Sequence, residues 1–185
     1  MSLRAGLVAS LALTLAACVS TPEGFAPVPR AEAPRFDPFT FFVGTSAGTG
    51  TLDKALSDPV PVRVESSGRI LIEPRHEASW DAPPRRVLVI DQTIHEGDKR
   101  PRTRQWRLTE IAPGFYEGSL TDAIGPVTGR SEGNRMVIEY RMKGSFKVRQ
   151  ELTLSADAQR AHNVLKVSQL GVTAAVLVED IIRQP

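Results

Sequence analysis

From Phe39 onward, the chain is a succession of short segments rich in β-branched and aromatic residues, and turn signals divide these segments from one another. No helical period runs through this part of the chain, and no strands alternate with long helices as parallel pairing would require. The turns are short, so consecutive strands can pair as hairpins. The pattern therefore predicts an all-β fold made almost entirely of antiparallel strands.

The segments predicted as strands follow one another at close spacing. Ser66-Ser67-Gly68 is predicted as a turn between the second and third segments, and residues 156–161 as a single helical turn. The strand segments are 41–53, 60–65, 69–76, 86–95, 102–111, 115–121, 127–131, 135–143, 145–155, 162–170 and 172–183. Trp80, beside Pro83-Pro84, is predicted to lie in a loop.

Strict alternation is clearest in residues 135–143, where Met136, Ile138 and Tyr140 share one face of the predicted strand. The segment 172–183 differs, because it is apolar on both faces and therefore predicts a covered strand near the closure of the sheet. Closure into a barrel removes the exposed edges that a long antiparallel meander would otherwise leave. We therefore expect a closed β-barrel of roughly 8–10 strands, wide enough for one small ligand. A β-sandwich is the alternative, and it would need longer crossovers than this chain offers.

Residues 1–17 have the layout of a secretory signal, with Arg4 in a basic region, an apolar run over 5–15 and small residues before Cys18. The apolar run is shorter than the roughly 20 residues of a transmembrane helix. A cysteine directly after small residues resembles the bacterial lipobox, in which lipid is added to the thiol and the signal is cut before it. We predict a signal peptide at 1–17 and a lipidated, palmitate-bearing Cys18 that anchors the chain to the membrane.

Two details complete the prediction of an anchored protein. An ordinary cleaved signal with a chance cysteine is the alternative to lipidation. The residue after the cysteine is Val19, not aspartate, which favours the periplasmic face of the outer membrane.

Residues 18–38 carry five prolines and no apolar period, so they predict a Pro-rich linker before a barrel domain at 39–185. The linker either stands the domain off the membrane or packs loosely on it.

Charge and cysteine content exclude several classes of function. Lys and Arg number 23 against 21 Asp and Glu, so the chain is close to neutral and lacks the strong positive charge of a general nucleic-acid binder. Cys18 is the only cysteine, and its lipidation leaves no disulfide, thiol catalyst or thiolate metal site. His76, His95 and His162 lie far apart, without metal-ligand spacing. We predict no catalytic residues, no metal and no cofactor, and expect a protein that is not an enzyme.

The most informative internal stretch runs from Arg102 to Leu108. If it is a strand, Arg104 and Trp106 share a face, and Trp106 is expected to point inward. A guanidinium inside a barrel needs an anionic partner, because an unpaired buried charge is costly. That partner is either a ligand carboxylate or phosphate, held bidentately, or a side chain of the chain itself, unless Arg104 caps the end of the barrel. The internal candidates are Asp91, Glu117 and Glu139.

Specific residues carry a resemblance to a known family. They are Phe41-Phe42-x-Gly44, Gly48-x-Gly50, Arg104-x-Trp106, Tyr116-x-Gly118, Gly125, Gly129, Gly133-Asn134 and Tyr140. Over about residues 36–180 the chain resembles the domain of unknown function 3833 family, whose members are mostly Gram-negative lipoproteins. The resemblance implies a lipocalin-like (calycin) barrel, and it implies no established activity.

Two hypotheses follow for the function. In the first, the barrel binds or carries an acyl lipid or another hydrophobic molecule, with Arg104 at its polar head and Trp106, Tyr116 and Tyr140 along the wall. In the second, the interior is packed and the protein is a non-enzymatic accessory lipoprotein that docks an envelope partner. An enzyme acting on lipids has the least support in the sequence.

Overall fold

The computed structural model describes residue 19, residues 26–74 and residues 84–185. In these residues one short helix is followed by ten strands. The helix is α1 (Pro38–Phe41), and the strands are β1 (Gly44–Lys54), β2 (Ser57–Glu73), β3 (Arg85–Glu96), β4 (Arg102–Ala112), β5 (Phe115–Leu120), β6 (Val127–Glu132), β7 (Arg135–Met142), β8 (Phe146–Leu154), β9 (Arg160–Gln169) and β10 (Val172–Arg183).

Each strand pairs antiparallel with the next, and β10 pairs with β1 to close the barrel. At the closure Gly48 lies opposite Ile181 and Gly50 lies opposite Glu179. The predicted all-β antiparallel barrel is therefore confirmed, and the sandwich alternative is wrong. The segment that is apolar on both faces forms β10, the strand at the closure, as its sequence indicated.

Two local predictions are wrong. Ser66-Ser67-Gly68 is not a turn, because β2 runs through it and pairs with β1 on one side and β3 on the other. Gly68 serves close packing here, since a Cβ would lie 1.8 Å from the carbonyl oxygen of Phe42. Residues 156–159 form a hairpin turn and not a helical one, closed by a bond from Arg160 N to Ser155 Oγ at 3.0 Å. His76 and Trp80 lie outside the described residues.

Aromatic side chains around α1 cover one end of the barrel. Asp37 caps the helix by accepting a hydrogen bond from Phe39 N at 2.9 Å, and a proline occupies the first turn, as helix starts prefer. The ring of Phe36 is fully buried and lies 5.4 Å from that of Phe41, which in turn lies 4.9 Å from that of Phe42. This aromatic group continues into the apolar core of the lumen, so the helix closes the barrel at this end.

The chain before α1 also packs on the barrel. Asn134, at the β6–β7 turn, accepts from Ala31 N at 2.8 Å and donates through Nδ2 to Pro29 O and Leu154 O, both at 2.9 Å. Phe36 N donates to Gly133 O at 2.8 Å. The last part of the predicted linker, from residue 29, is thus held against the domain. Residues 1–17 and Cys18 lie outside the described residues.

Antiparallel connectivity sorts the loops into two ends. The helix end carries α1 and the turns at 113–114, 133–134 and 155–159. The hairpin-tip end carries the loops at 55–56, 97–101, 121–126, 143–145 and 170–171. Among the described residues, no helix is long and apolar enough to cross a membrane.

Candidate ligand site in the barrel lumen

A row of polar side chains crosses four neighbouring strands on the inner face of the barrel. Ser46 of β1 lies opposite Ser66 of β2, Ser66 lies opposite Gln92 of β3, and Gln92 lies opposite Arg104 of β4. Each of the four has a buried residue two positions along its strand, namely Gly48, Val64, Ile90 and Trp106. An apolar lumen is therefore interrupted by one continuous polar row.

Gln92 is the centre of this row. Its Oε1 accepts from Arg104 Nε at 2.8 Å and from Trp106 Nε1 at 2.7 Å, while its Nε2 donates to Ser66 Oγ at 2.9 Å. Gln92 thus fixes both the guanidinium and the indole. The Arg104 guanidinium also lies 5.3 Å from the centre of the Trp106 ring, within the range of a cation–π interaction.

Arg104 has no carboxylate partner in the described part of the chain. None of the internal candidates reaches it, because Asp91 bonds Gln105 and Arg69, Glu139 bonds Arg149, and Glu117 is exposed. No other carboxylate of the described residues lies within salt-bridge distance of its guanidinium. Burial lowers the pKa of Arg104, so the lumen disfavours its charge.

Glu179, on β10, is a buried carboxyl group that lines the same cavity as Arg104, yet the two make no ion pair. Its Oε1 accepts from Asn163 Nδ2 at 2.7 Å, and its Oε2 has no partner. Oε2 lies so close to Gly48 that a Cβ there would come within 2.6 Å of it. Burial raises the pKa of Glu179, so this carboxyl group tends toward its neutral form. A neutral Glu179 leaves the charge of Arg104 uncompensated.

A small cavity separates the two groups. We call this cavity the polar chamber. Its polar lining is formed by Ser66, Gln92, Arg104, Gln150 and Glu179, and its other walls are mainly apolar and include Trp106. The cavity volume is about 20 Å³, which is enough for one or two waters. Gln150 Oε1 and Glu179 Oε2 are both buried and have no hydrogen-bond partner among the described residues. A molecule in the chamber would find guanidinium donors on one side, and on the other an amide acceptor and, when Glu179 is neutral, the hydroxyl of its carboxyl group.

The predicted wall residues divide between two places. Trp106 and Tyr140 lie beside the chamber with their rings edge to face, 5.6 Å apart, and burial raises the pKa of Tyr140 while the nearby guanidinium opposes this. Tyr116 lies near the helix end, where its ring stacks on Phe39 at 6.3 Å, and burial raises its pKa too. Arg104, Trp106 and Tyr140 are therefore neighbours, and Tyr116 does not join them.

The polar chamber is much smaller than a usual pocket for a small molecule. Pockets for small molecules usually have volumes of roughly 300–1,000 Å³, and the cavity beside Arg104 has about 20 Å³. This enclosed cavity is thus far smaller than an acyl chain, and binding of an acyl lipid stays a prediction. The reason is the packing of large side chains such as Leu108, Met136 and Leu152, which fill the lumen. A larger open groove of about 720 Å³ is lined by residues of β1 to β4, and these include Arg104 and Gln92 as well as the exposed Arg63 and Glu65.

Sequence reasoning did not assign Gln92, Glu179 or Asn163 to a ligand site. One signal was present, because each is a polar residue at an inward position of a strand whose other inward residues are apolar. In β8 this signal is visible in the sequence, because Gln150 is a polar residue among the apolar inward residues of the strand. Glu179 was hidden by β10, which is apolar on both faces and so does not reveal which face is inner. Among the described residues, no three His, Cys, Asp or Glu side chains form a group that could hold a metal ion.

The fold and the chamber define a closed, antiparallel, lipocalin-like barrel with a packed lumen and one polar internal site. The chain belongs to the family described as "Protein of unknown function (DUF3833)", whose model matches residues 12–177, and this confirms the predicted family. Among solved structures, it is similar to an S-type phycobiliprotein lyase, CPES, from Guillardia theta. The TM-score is 0.60 at 8% identity, over 80% of this chain and 90% of that one. A search of curated proteins finds no match.

Proposed function

We propose that this protein is a lipid-anchored binding protein of the cell envelope, held by Cys18 at the periplasmic face of the outer membrane. We further propose that Arg104 binds an oxyanion, a carboxylate or a phosphate, inside the barrel. The observation that carries the proposal is the Arg104 guanidinium, which lies in the lumen without a carboxylate partner among the described residues. Such a charge is costly to bury, and polar groups that convergently line a cavity mark binding sites.

The chamber limits the form of the ligand. About 20 Å³ holds one or two atoms of the size of a water oxygen, so it admits the oxygens of an anionic group but not a long apolar tail. The ligand is thus either a compact anion or the anionic end of a longer molecule whose remainder stays outside. Guanidinium N–H groups not used by Gln92 can donate to its oxygens. Binding and not catalysis is proposed, since the chamber offers no nucleophile activated by a base.

Trp106 provides the test, because its indole Nε1–H shares the acceptor on Gln92 with Arg104. The indole resonance is followed by ¹⁵N NMR while acetate, phosphate or octanoate is added to the full chain. We expect a saturable shift with the wild-type protein and none with Arg104→Met. Arg149→Met, which removes an exposed ion pair with Glu139, is the matched control and should respond as the wild type.

The three anions separate the possible sources of the ligand. Saturation by acetate or phosphate supports a compact anion, and saturation by octanoate alone supports the end of an acyl molecule. Absence of a saturable shift with all three anions would refute oxyanion binding at Arg104.

A second function is favoured by the small volume of the lumen. A packed barrel suits an accessory lipoprotein that docks an envelope partner through its outer surface. Native mass spectrometry of protein purified from cells distinguishes the two functions. A bound anionic molecule supports the first, and a ligand-free barrel that co-purifies with another protein supports the second.

A further inference from the structure

Leucine side chains project from two adjacent hairpins at the hairpin-tip end of the barrel. Leu56, in the β1–β2 turn, is 95% exposed, and Leu170, in the β9–β10 turn, is 93% exposed. The two hairpins are neighbours because β1 pairs with β10, and a bond from Ala55 N to Ala174 O at 3.0 Å joins their tips. Val172 is 60% exposed beside them. The tips thus form one projecting apolar group.

The backbone of both turns is one that leucine rarely adopts. Leu56 has φ of 63° and Leu170 has φ of 49°, in the left-handed region where glycine or asparagine is the usual choice. Leu170 precedes Gly171, whose φ is also positive, so this is a two-residue hairpin turn that normally prefers Asn-Gly. A leucine here adds strain and exposes apolar surface, and neither effect favours the turn. Such strained positions cluster where a protein makes functional contacts.

The other loops of the same end supply further apolar and basic side chains. Ile124, in the β5–β6 loop, is 52% exposed. The β3–β4 loop carries Arg100 and the β7–β8 turn carries Lys143, both exposed and neither in an ion pair with a described carboxylate. Arg141 and Lys147, paired next to the β7–β8 turn, are exposed too, so these four cations outnumber the exposed Asp58 and Asp98. Aliphatic tips beside cationic ones are suited to the interface of a bilayer that contains anionic lipids.

We propose that the hairpin-tip end docks on an anionic lipid surface by inserting Leu56, Leu170 and Val172 among the headgroups. A bilayer fits these tips better than a protein groove does, because they form one narrow apolar projection beside cationic side chains and not a broad apolar face. The inference rests on the proposed lipid anchor, which holds the domain near the membrane.

The length of the linker permits this orientation. Among the described residues, the first one bonded to the barrel is Pro29, at the helix end, eleven residues after Cys18. Eleven residues span at most about 38 Å. A barrel wall of eleven-residue strands, such as β1, is about 28 Å high at the usual tilt. The linker can therefore run beside the barrel and let the opposite end meet the membrane.

The test uses the full lipidated chain in vesicles, with a single added thiol. Leu56→Cys and Leu170→Cys are labelled with an environment-sensitive dye, and Ile111→Cys, a 57% exposed site near the helix end, is the matched control. In vesicles with anionic phosphatidylglycerol, we expect blue-shifted emission and quenching by lipid-borne quenchers at positions 56 and 170 but not at 111. Equal quenching at all three positions, or none, would overturn the proposal.

A second measurement covers the case in which labelling disturbs the tips. The Cys18→Ser chain, which carries no lipid, is tested for sedimentation with the same vesicles, alone and with Leu56→Ser and Leu170→Ser. Each inserted leucine should contribute about a tenfold difference in partitioning. Tips that are protected from a thiol reagent in cells but unaffected by vesicles would indicate a protein partner and refute the lipid proposal. Intact mass reports acylation of Cys18 separately, so a missing anchor is distinguished from missing tip insertion.

Discussion

Gln92 and Arg104 lie opposite each other on β3 and β4, and the guanidinium Nε donates to the amide Oε1 at 2.8 Å. The same oxygen accepts from the Trp106 indole at 2.7 Å. A neutral amide thus stands where a carboxylate would neutralise the arginine. The amide holds the guanidinium in position and leaves its charge available to a ligand, and this relationship connects the fold with the proposed function.

Replacing Gln92 by leucine is expected to destabilise the barrel. The change leaves the Nε of Arg104 and the Nε1 of Trp106 without their acceptor, and each unpaired buried donor costs about 1–3 kcal/mol. We expect the free energy of unfolding to fall by about 3 kcal/mol in urea titrations. Gln159→Leu, at an exposed turn, is the control and should change it by less than about 0.5 kcal/mol. Equal effects of the two substitutions would contradict the structural role of Gln92.

Replacing Arg104 by methionine should leave the fold intact while it abolishes ligand binding. Removing a partly buried charge that lacks a carboxylate partner is often neutral or stabilising, by up to a few kcal/mol. We expect the free energy of unfolding to stay the same or to rise by about 1–2 kcal/mol. A fall of more than about 2 kcal/mol would show that the guanidinium is a structural group, and the binding proposal would lose its main support.

Glu179 makes stability depend on pH. Burial raises its pKa above the ordinary value of 4.5, so the folded protein binds this proton more tightly than the unfolded chain does. The stabilising contribution is therefore complete below about pH 4.5 and is lost as the pH rises through the folded pKa. The Glu179→Gln variant should gain melting temperature over the wild type as the pH rises from 4 to 8. Glu132→Gln, with an exposed carboxylate, should show no such trend; a pH-independent difference for Glu179→Gln would refute this assignment.

Asn134 fastens the segment before α1 to the barrel. Its side chain bonds Ala31, Pro29 and Leu154, so Asn134→Ala removes three hydrogen bonds at once. We expect a loss of about 1–3 kcal/mol and faster hydrogen exchange at residues 29–36. Arg30→Ala, which removes an exposed ion pair with Glu151, should leave exchange nearly unchanged. Unaltered exchange in Asn134→Ala would show that other contacts hold the segment.

Acylation of Cys18 is tested in cells. Labelled palmitate should be incorporated into the wild-type protein, and Cys18→Ser should remove both the label and the membrane association that depends on it. Labelling that persists in Cys18→Ser, or that is absent from the wild type, would contradict the anchor.

The strands could be predicted from the sequence because short turns and alternating residues are local signals. Arg135–Met142 shows this, since its predicted and observed bounds differ by one residue. The extension of β2 through Ser66-Ser67-Gly68 could not be predicted, because it depends on the pairing of these residues with β1 on one side and β3 on the other. The inward direction of Arg104 was predictable from its parity with Trp106. The partner of Arg104 was not predictable, since Gln92 becomes the neighbour of Arg104 only through the register of β3 and β4.

The central claim is that Arg104 holds an anionic group inside the closed barrel. The most direct measurement is the amount of anionic molecule released by denaturing protein purified from cells, determined by mass spectrometry for the wild type, Arg104→Met and Arg149→Met. The account predicts about one equivalent in the wild type and in Arg149→Met, and none in Arg104→Met. The same amount from all three proteins, or none from any, would contradict it.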